Sequence, residues 1–245
     1  MFRSKLPGLT RPTGLIAHPF DLAHGVRTSG LVAGRNLKSG HAHDHHATAY
    51  FGVAPSVFDR LIRHWQRTRP FAPVAETTFV DFGAGMGRAV LLAARIPFRR
   101  AIGVELHPKL ARIARRNLAL WRKAGRIVSP ATIVQADAST FTFAASPCVL
   151  FLFNPFGAVV MRRLLRALAR RFAASPGQLD ILYVNNEQET VLEQHRGFQR
   201  LFAGKIRRSR ADAIADRRIL TSQPSGEYAY AGYEDCSIWR WIGRA

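Results

Sequence analysis

The sequence predicts an α/β chain built on a doubly wound, mostly parallel sheet, and three observations carry that expectation. Apolar runs of strand length alternate with helix-period segments from Thr77 to Val184. Three of these runs close on an acid, at Asp81, Glu105 and Asp137. Glycines at alternate positions, Gly83, Gly85 and Gly87, follow the first acid. Strand, glycine turn, helix, strand and acid form the opening unit of a nucleotide-binding sheet.

Residues 1–47 show no clear periodicity and hold six of the nine histidines among Pro, Gly and Ser, so an irregular N-terminal arm is expected. From Pro55 a helix is expected, with Val57, Phe58, Leu61, Ile62 and Trp65 on one face and Arg60, Arg63 and Arg67 opposite. Pro70 and Pro73 break the chain before a first core strand at Thr77–Phe82. Met86–Ile96 reads as the first crossover helix and Arg100–Leu106 as the second strand. Pro108 opens a basic amphipathic helix through Lys109–Lys123, which Gly125 ends.

A third strand is expected at Ala131–Ala136. The uninterrupted apolar run Cys148–Phe153 suits a strand covered on both faces. Val159–Phe172 is a second basic amphipathic helix and Ile181–Val184 a fifth strand. Beyond Gly197 the pattern predicts consecutive strands at Phe198–Ile206, Tyr228–Tyr233 and Ser237–Ile242, without helices between them, pairing antiparallel at one sheet edge.

Bulk properties narrow the function classes. With 245 residues, 47% of them hydrophobic, the chain can bury one sizeable core, and a second full domain is not expected. Cys148 and Cys236 are too few and too far apart for a disulfide framework, so a reducing cytoplasm is the expected compartment. No apolar run approaches the roughly 20 residues that span a bilayer, and the basic N-terminus lacks the apolar core of a signal peptide. The formal charge of +20 comes from 31 Arg and five Lys against 16 acids. Such a surface admits nucleic acid or an acidic partner. The clusters are spread along the chain, however, which equally fits solvated helix faces in an Arg- and Ala-rich composition.

The glycine spacing selects among nucleotides. A nicotinamide or flavin turn wants G-x-G-x-x-G, its third glycine allowing the helix to pack on the strand. Arg88 stands at that third position. The turn here reads Asp81-Phe82-Gly83-Ala84-Gly85-Met86-Gly87. It resembles motif I of the class I, seven-stranded, S-adenosylmethionine-dependent methyltransferases, and the resemblance extends from about Tyr50 to the C-terminus.

That resemblance implies a Rossmann-like doubly wound sheet of seven strands, mostly parallel with an antiparallel last strand. Residues 1–70 would be an arm and helix that lead over the cofactor, and residues 71–245 the methyltransferase domain. S-adenosyl-L-methionine is the implied cofactor. Glycines let the backbone of Gly83, Ala84, Gly85 and Gly87 approach it, and N–H groups opening the next helix suit its carboxylate. Asp81 is implied to hold its amino group and Glu105, 18 residues after Gly87, both ribose hydroxyls. Asp137 faces the adenine amino group, and the Ala138 N–H faces the ring.

After the fourth strand come Asn154-Pro155-Phe156-Gly157. Methyltransferases acting on amino nitrogens often carry Asn or Asp, two prolines and an aromatic there. Here one proline is missing and the aromatic arrives one residue early. Asn154 and Phe156 are the candidate catalytic, acceptor-contacting residues; the other reading is a turn in which Asn caps, Pro opens and Gly relaxes the backbone. The whole pattern, with its FDLAHGVRTSG leader, is similar to bacterial methyltransferase-domain proteins without an assigned acceptor and, distantly, to protein-lysine methyltransferases. Tyr50 is then a candidate lid residue, or simply packs the first helix.

The run His41–His46 lies in an irregular arm without partner cysteines, so no functional metal site is expected. His107 reads as a cap, and Glu187 as a general-base candidate at the edge of the site. The implied activity is methyl transfer to an acceptor that is a protein side chain, RNA or a small molecule. The alternative is a non-catalytic nucleic-acid-binding module that keeps the methyltransferase fold.

Overall fold

The computed structural model describes residues 16–34, 37, 40, 48–143, 146–222 and 230–243; the histidine run lies outside the described residues. The arm carries more structure than its composition predicts. Helix α1 (Pro19–His24) is capped by His18 Nδ1, which accepts the Phe20 N–H at 3.0 Å, and is closed by left-handed Gly25. Strand β1 (Leu31–Val32) pairs antiparallel with β2 (Tyr50–Phe51). Elements of six and two residues are too short for a hydrophobic period to register. Helix α2 (Pro55–Arg67) buries Val57, Phe58, Leu61, Ile62 and Trp65, the apolar face read from sequence.

The main sheet opens with β3 (Thr78–Phe82), and helix α3 (Arg88–Ala93) follows the glycine turn. Strand β4 (Arg100–Glu105), helix α4 (Pro108–Lys123), β5 (Ala131–Gln135), β6 (Cys148–Phe153), helix α5 (Ala158–Arg171) and β7 (Leu179–Val184) complete the alternating part. Helix α6 (Glu189–Glu193), β8 (Phe198–Arg207), helix α7 (Arg210–Thr221) and β9 (Tyr233–Trp241) end the described chain. The seven strands run in the order β5-β4-β3-β6-β7-β9-β8. All β3 to β7 pairings are parallel, and β9 inserts antiparallel between β7 and β8. The seven-stranded, mostly parallel sheet implied by the resemblance is thus present.

Alternate residues of each strand feed opposite layers, as the two-residue period of a strand requires. Phe79, Val149, Phe151 and Leu182 pack with α2, α3 and α4. Val80, Leu150, Ile181 and Tyr183 pack with α5 and α6. Asp180 on β7 ties helix α2 to β9: it accepts Trp65 Nε1 at 2.8 Å and a bidentate pair from Arg240 at 2.7 and 2.9 Å.

The C-terminal third departs from expectation. A helix, α7, separates β8 from β9; β9 runs through the expected Ser237–Ile242 strand from Tyr233, while the start of the expected Tyr228–Tyr233 strand lies outside the described residues. The buried side of α7 is Asp212, Ala215, Asp216 and Ile219, half of it acidic, so no apolar stripe marks it. The first crossover helix is also shorter than Met86–Ile96, because the turn runs to Gly87, its N-cap.

Candidate active cleft

Strand order reverses between β3 and β6, and a crevice opens at the carboxyl ends of the strands there, the usual ligand position in such sheets. A cleft of about 940 Å³, open to solvent, occupies it. Asp81 from the end of β3, Glu105 from the end of β4, and Asp137 and Ala138 just past β5 all line it. Gly83, Ala84 and Gly85 form its floor, with Tyr50 and Phe156 among its walls.

Two of the three acids are buried. Burial pushes the Asp81 carboxyl well above the usual carboxylate range, and the neighbouring Glu105 pushes it further. Burial also raises Glu105, opposed by backbone N–H groups that favour its charged form. Gly85 N–H donates to Glu105 Oε2 at 2.6 Å and His107 N–H to Oε1 at 2.8 Å. A carboxylate offers about four lone-pair sites, so hydrogen-bonding capacity remains on the cleft side. Asp137 Oδ1 accepts both the N–H and the hydroxyl of Ser139 at 2.8 Å, which fixes the loop after β5.

The glycine turn is shaped by what approaches it. At Gly85, φ is 54°, and a Cβ would lie 2.1 Å from the Tyr50 ring. The ring rests there because the Tyr50 hydroxyl donates to Thr28 carbonyl at 2.7 Å. Gly87 does not line the cleft; its φ is 89°, and a Cβ would meet Ala114 Cβ at 3.1 Å, so it sets the packing of α3 on α4.

Arg88 is the residue whose part the sequence reading missed. Instead of an awkward intruder, it is a buried latch at 2% exposure. Its Nε donates to Thr28 Oγ1 at 2.7 Å, Nη1 to the Gly52 and Val53 carbonyls at 3.1 and 3.3 Å. Nη2 donates to Thr28 carbonyl at 3.1 Å and Ser29 Oγ at 3.0 Å, and lies 3.9 Å from Asp21 Oδ1. All five guanidinium donors are used. Asp21 in turn accepts from the N–H and hydroxyl of both Thr28 and Ser29. The leader is therefore clamped to the first residue of α3, which holds Tyr50 over the turn. The signal was the pairing of an arginine inside a glycine turn with an Asp-x6-Thr-Ser leader.

Asn154 lies in a neighbouring cleft of about 950 Å³. This second cleft shares Thr48, Ala49, Phe51 and Phe153 with the first. Asn154 has φ 39°, uncommon for a side chain-bearing residue, and is 7% exposed. The Thr48 hydroxyl donates to its carbonyl, while its own Oδ1 is buried and has no partner among the described residues. Asn185, Glu187, Arg208, Tyr233, Glu234 and Asp235 add to the polar lining. His107 is the N-cap residue of α4. Among the described residues no group of three or more metal-ligating side chains occurs, and no helix is long and apolar enough to cross a membrane.

No protein-family model matches the chain, and no curated protein sequence matches it. Its fold has many solved counterparts. The [4+2]-cyclase SpnF is 18% identical over 76% of this chain and 81% of its own, with a TM-score of 0.51. An RNA methyltransferase from Salinibacter ruber, solved with S-adenosyl-L-homocysteine, is 18% identical over 76% and 93%, TM-score 0.45. Magnesium protoporphyrin IX methyltransferase from Synechocystis, solved with S-adenosylmethionine, is 11% identical over 76% and 77%, TM-score 0.48. Identities this low speak to fold alone. With its strand order and antiparallel insertion, the chain shares the seven-stranded α/β fold of that cyclase.

Proposed function

We propose that the chain is an S-adenosylmethionine-dependent methyltransferase, and the observation that carries this reading is the convergence of Asp81, Glu105 and Asp137 on one glycine-floored cleft. The donor set fits the cofactor. A buried pair of carboxyls held above the ordinary carboxylate range by burial is relieved by a cation, and the methionyl ammonium is one. Asp81 binds that ammonium. Glu105, already oriented by Gly85 and His107, accepts from the ribose hydroxyls. Asp137 and the Ala138 N–H face the adenine, and Tyr50 closes over the turn from the leader.

When bound, the cofactor supplies an electrophilic methyl group on a sulfonium. The chain contributes position and dryness: Leu106, Phe153 and Phe156 line the cleft beside the acids and exclude water from a reaction in which charge is dispersed. Asn154 and Phe156, at the end of β6, stand where an acceptor would be contacted.

A second reading, a nucleic-acid-binding module on the same fold, is favoured by the exposed arginines of α4 and α5, among them Arg112, Arg116, Arg162, Arg163 and Arg166. Such a module binds RNA with strong salt dependence and transfers nothing. Tritiated methyl transfer from S-adenosylmethionine to protein, RNA and small-molecule fractions of a lysate decides between them. Labelling of any one fraction supports transfer; salt-sensitive RNA binding with no labelling in any fraction contradicts it.

A further inference from the structure

The second cleft has a character opposite to that of the molecule around it. On a chain of formal charge +20, its charged lining among the described residues is Glu187, Glu234, Asp235 and Arg208. Four of the five N–H donors of that arginine are already engaged within the protein, and its side chain is 5% exposed. Its guanidinium donates to Asp216 Oδ2 at 2.9 Å, to Glu234, and to the carbonyls of Ala231 and Tyr233. Glu187 and Asp235 are exposed at the cleft. Asn154 adds a buried Oδ1 with no partner among the described residues, an atom that only accepts.

We infer that this cleft receives the methyl acceptor and that the acceptor presents an alkylammonium group. The inference rests on the methyltransferase reading for the first cleft and adds the chemical class of the acceptor. Carboxylates and an amide oxygen offer acceptors alone, and an ammonium offers three donors and no acceptor. A phosphate or carboxylate would find like charge and an arginine already paired with Asp216 and Glu234, so the basic surface does not describe the acceptor. Thr48, Ala49, Phe51 and Phe153 line both clefts, so the second adjoins the first along these residues.

The chemistry balances with what is named. At the open mouth the ammonium gives one proton to water, which frees the nitrogen lone pair. That pair forms the new nitrogen–carbon bond, the electrons of the broken carbon–sulfur bond stay on sulfur, and the product leaves as a methylated ammonium. Burial lifts the Glu234 carboxyl to about 7, so its full charge appears only near neutrality and above. Glu187 and Asp235 are therefore the residues to test.

The experiment is calorimetric titration of Nα-acetyl-lysine methylamide into the full chain saturated with S-adenosylhomocysteine. The norleucine amide, which keeps the four-carbon side chain but lacks the ammonium, and a single-stranded oligonucleotide serve as competitors. The lysine amide is expected to bind at least tenfold tighter than the norleucine amide. The double variant Glu187→Gln, Asp235→Asn is expected to lose tenfold or more of that affinity while its S-adenosylhomocysteine affinity stays within twofold. Equal binding of the two amides, an unchanged double variant, or displacement of the lysine amide by the oligonucleotide would overturn the inference. If S-adenosylhomocysteine fails to bind while the lysine amide still does, the transferase reading falls and the amine site survives. Replacing the lysine amide by pentylamine and by a lysine-containing peptide then tells a free amine from a protein side chain.

Discussion

Arg88→Met should both destabilise the chain and loosen the cleft. The guanidinium is 2% exposed and stands 3.9 Å from the buried Asp21 carboxylate. Removing one member of a buried ion pair costs about 3–5 kcal/mol, because the remaining charge is left uncompensated. Here four donors from Thr28 and Ser29 still serve Asp21, which places the cost at the low end, about 3 kcal/mol. The Gly52 and Val53 carbonyls lose their donor as well, adding about 1 kcal/mol. For a chain of this size that is a fall in Tm of roughly 8–16 °C. Urea denaturation and a thermal scan measure it, and titration with S-adenosylhomocysteine measures the loosened Tyr50 segment. Arg88→Lys keeps the charge but not the five-donor fork, so it should fall between. If Arg88→Met lies within about 1 kcal/mol of wild type, the latch is not what holds the leader.

Other consequences follow from single contacts. Gly85→Ala puts a Cβ against the Tyr50 ring, 2.1 Å from Cε2, at a φ of 54°; the ring must leave, and S-adenosylhomocysteine affinity should drop at least tenfold by calorimetry. Tyr50→Phe removes the hydroxyl's hydrogen bonds with the Thr28 carbonyl and the Met86 backbone and should cost about 1–2 kcal/mol in urea denaturation, with the ring still over the turn. Burial holds Asp81 and Glu105 above their usual values, so the folded chain keeps protons that the unfolded chain releases. Their contribution is full below about pH 4 and is lost as pH rises through the folded values. Asp81→Asn should therefore flatten the fall of stability with pH and be the more stable chain at neutrality. Asp180→Ala strands Arg240 and Trp65 Nε1 and should cost about 3–5 kcal/mol, read by denaturation, without changing ligand affinity in the chain that remains folded.

How far the sequence carries depends on whether a signal is local and apolar. The β3 to β7 strands and helices α2, α4 and α5 are legible because their buried faces are mainly apolar, with only isolated polar residues such as Asn117 and Asp180 among them. The cleft acids are legible because each ends an apolar run, which puts Asp81, Glu105 and Asp137 at one end of a parallel sheet. Helix α7 is hidden because Asp212 and Asp216 share its buried side with Ala215 and Ile219; its one local cue is Ser209, whose hydroxyl accepts the Asp212 N–H. Arg88 is misread for the opposite reason. Its partners Asp21, Thr28 and Ser29 lie some 60 residues upstream, and nothing in a local window says that a charge inside a glycine turn will be met. The second cleft is beyond reach for the same cause, being assembled from the ends of β6, β7 and β9 with part of the leader.

Calorimetric titration of the wild-type chain and of Glu105→Ala with S-adenosylhomocysteine, with NADH as the control, bears most directly on the central claim. The expected result is one saturable site for the homocysteine compound, at least tenfold weaker in the variant, and no heat from NADH. Saturable binding of NADH alone, or an affinity for S-adenosylhomocysteine that Glu105→Ala leaves unchanged, would contradict it.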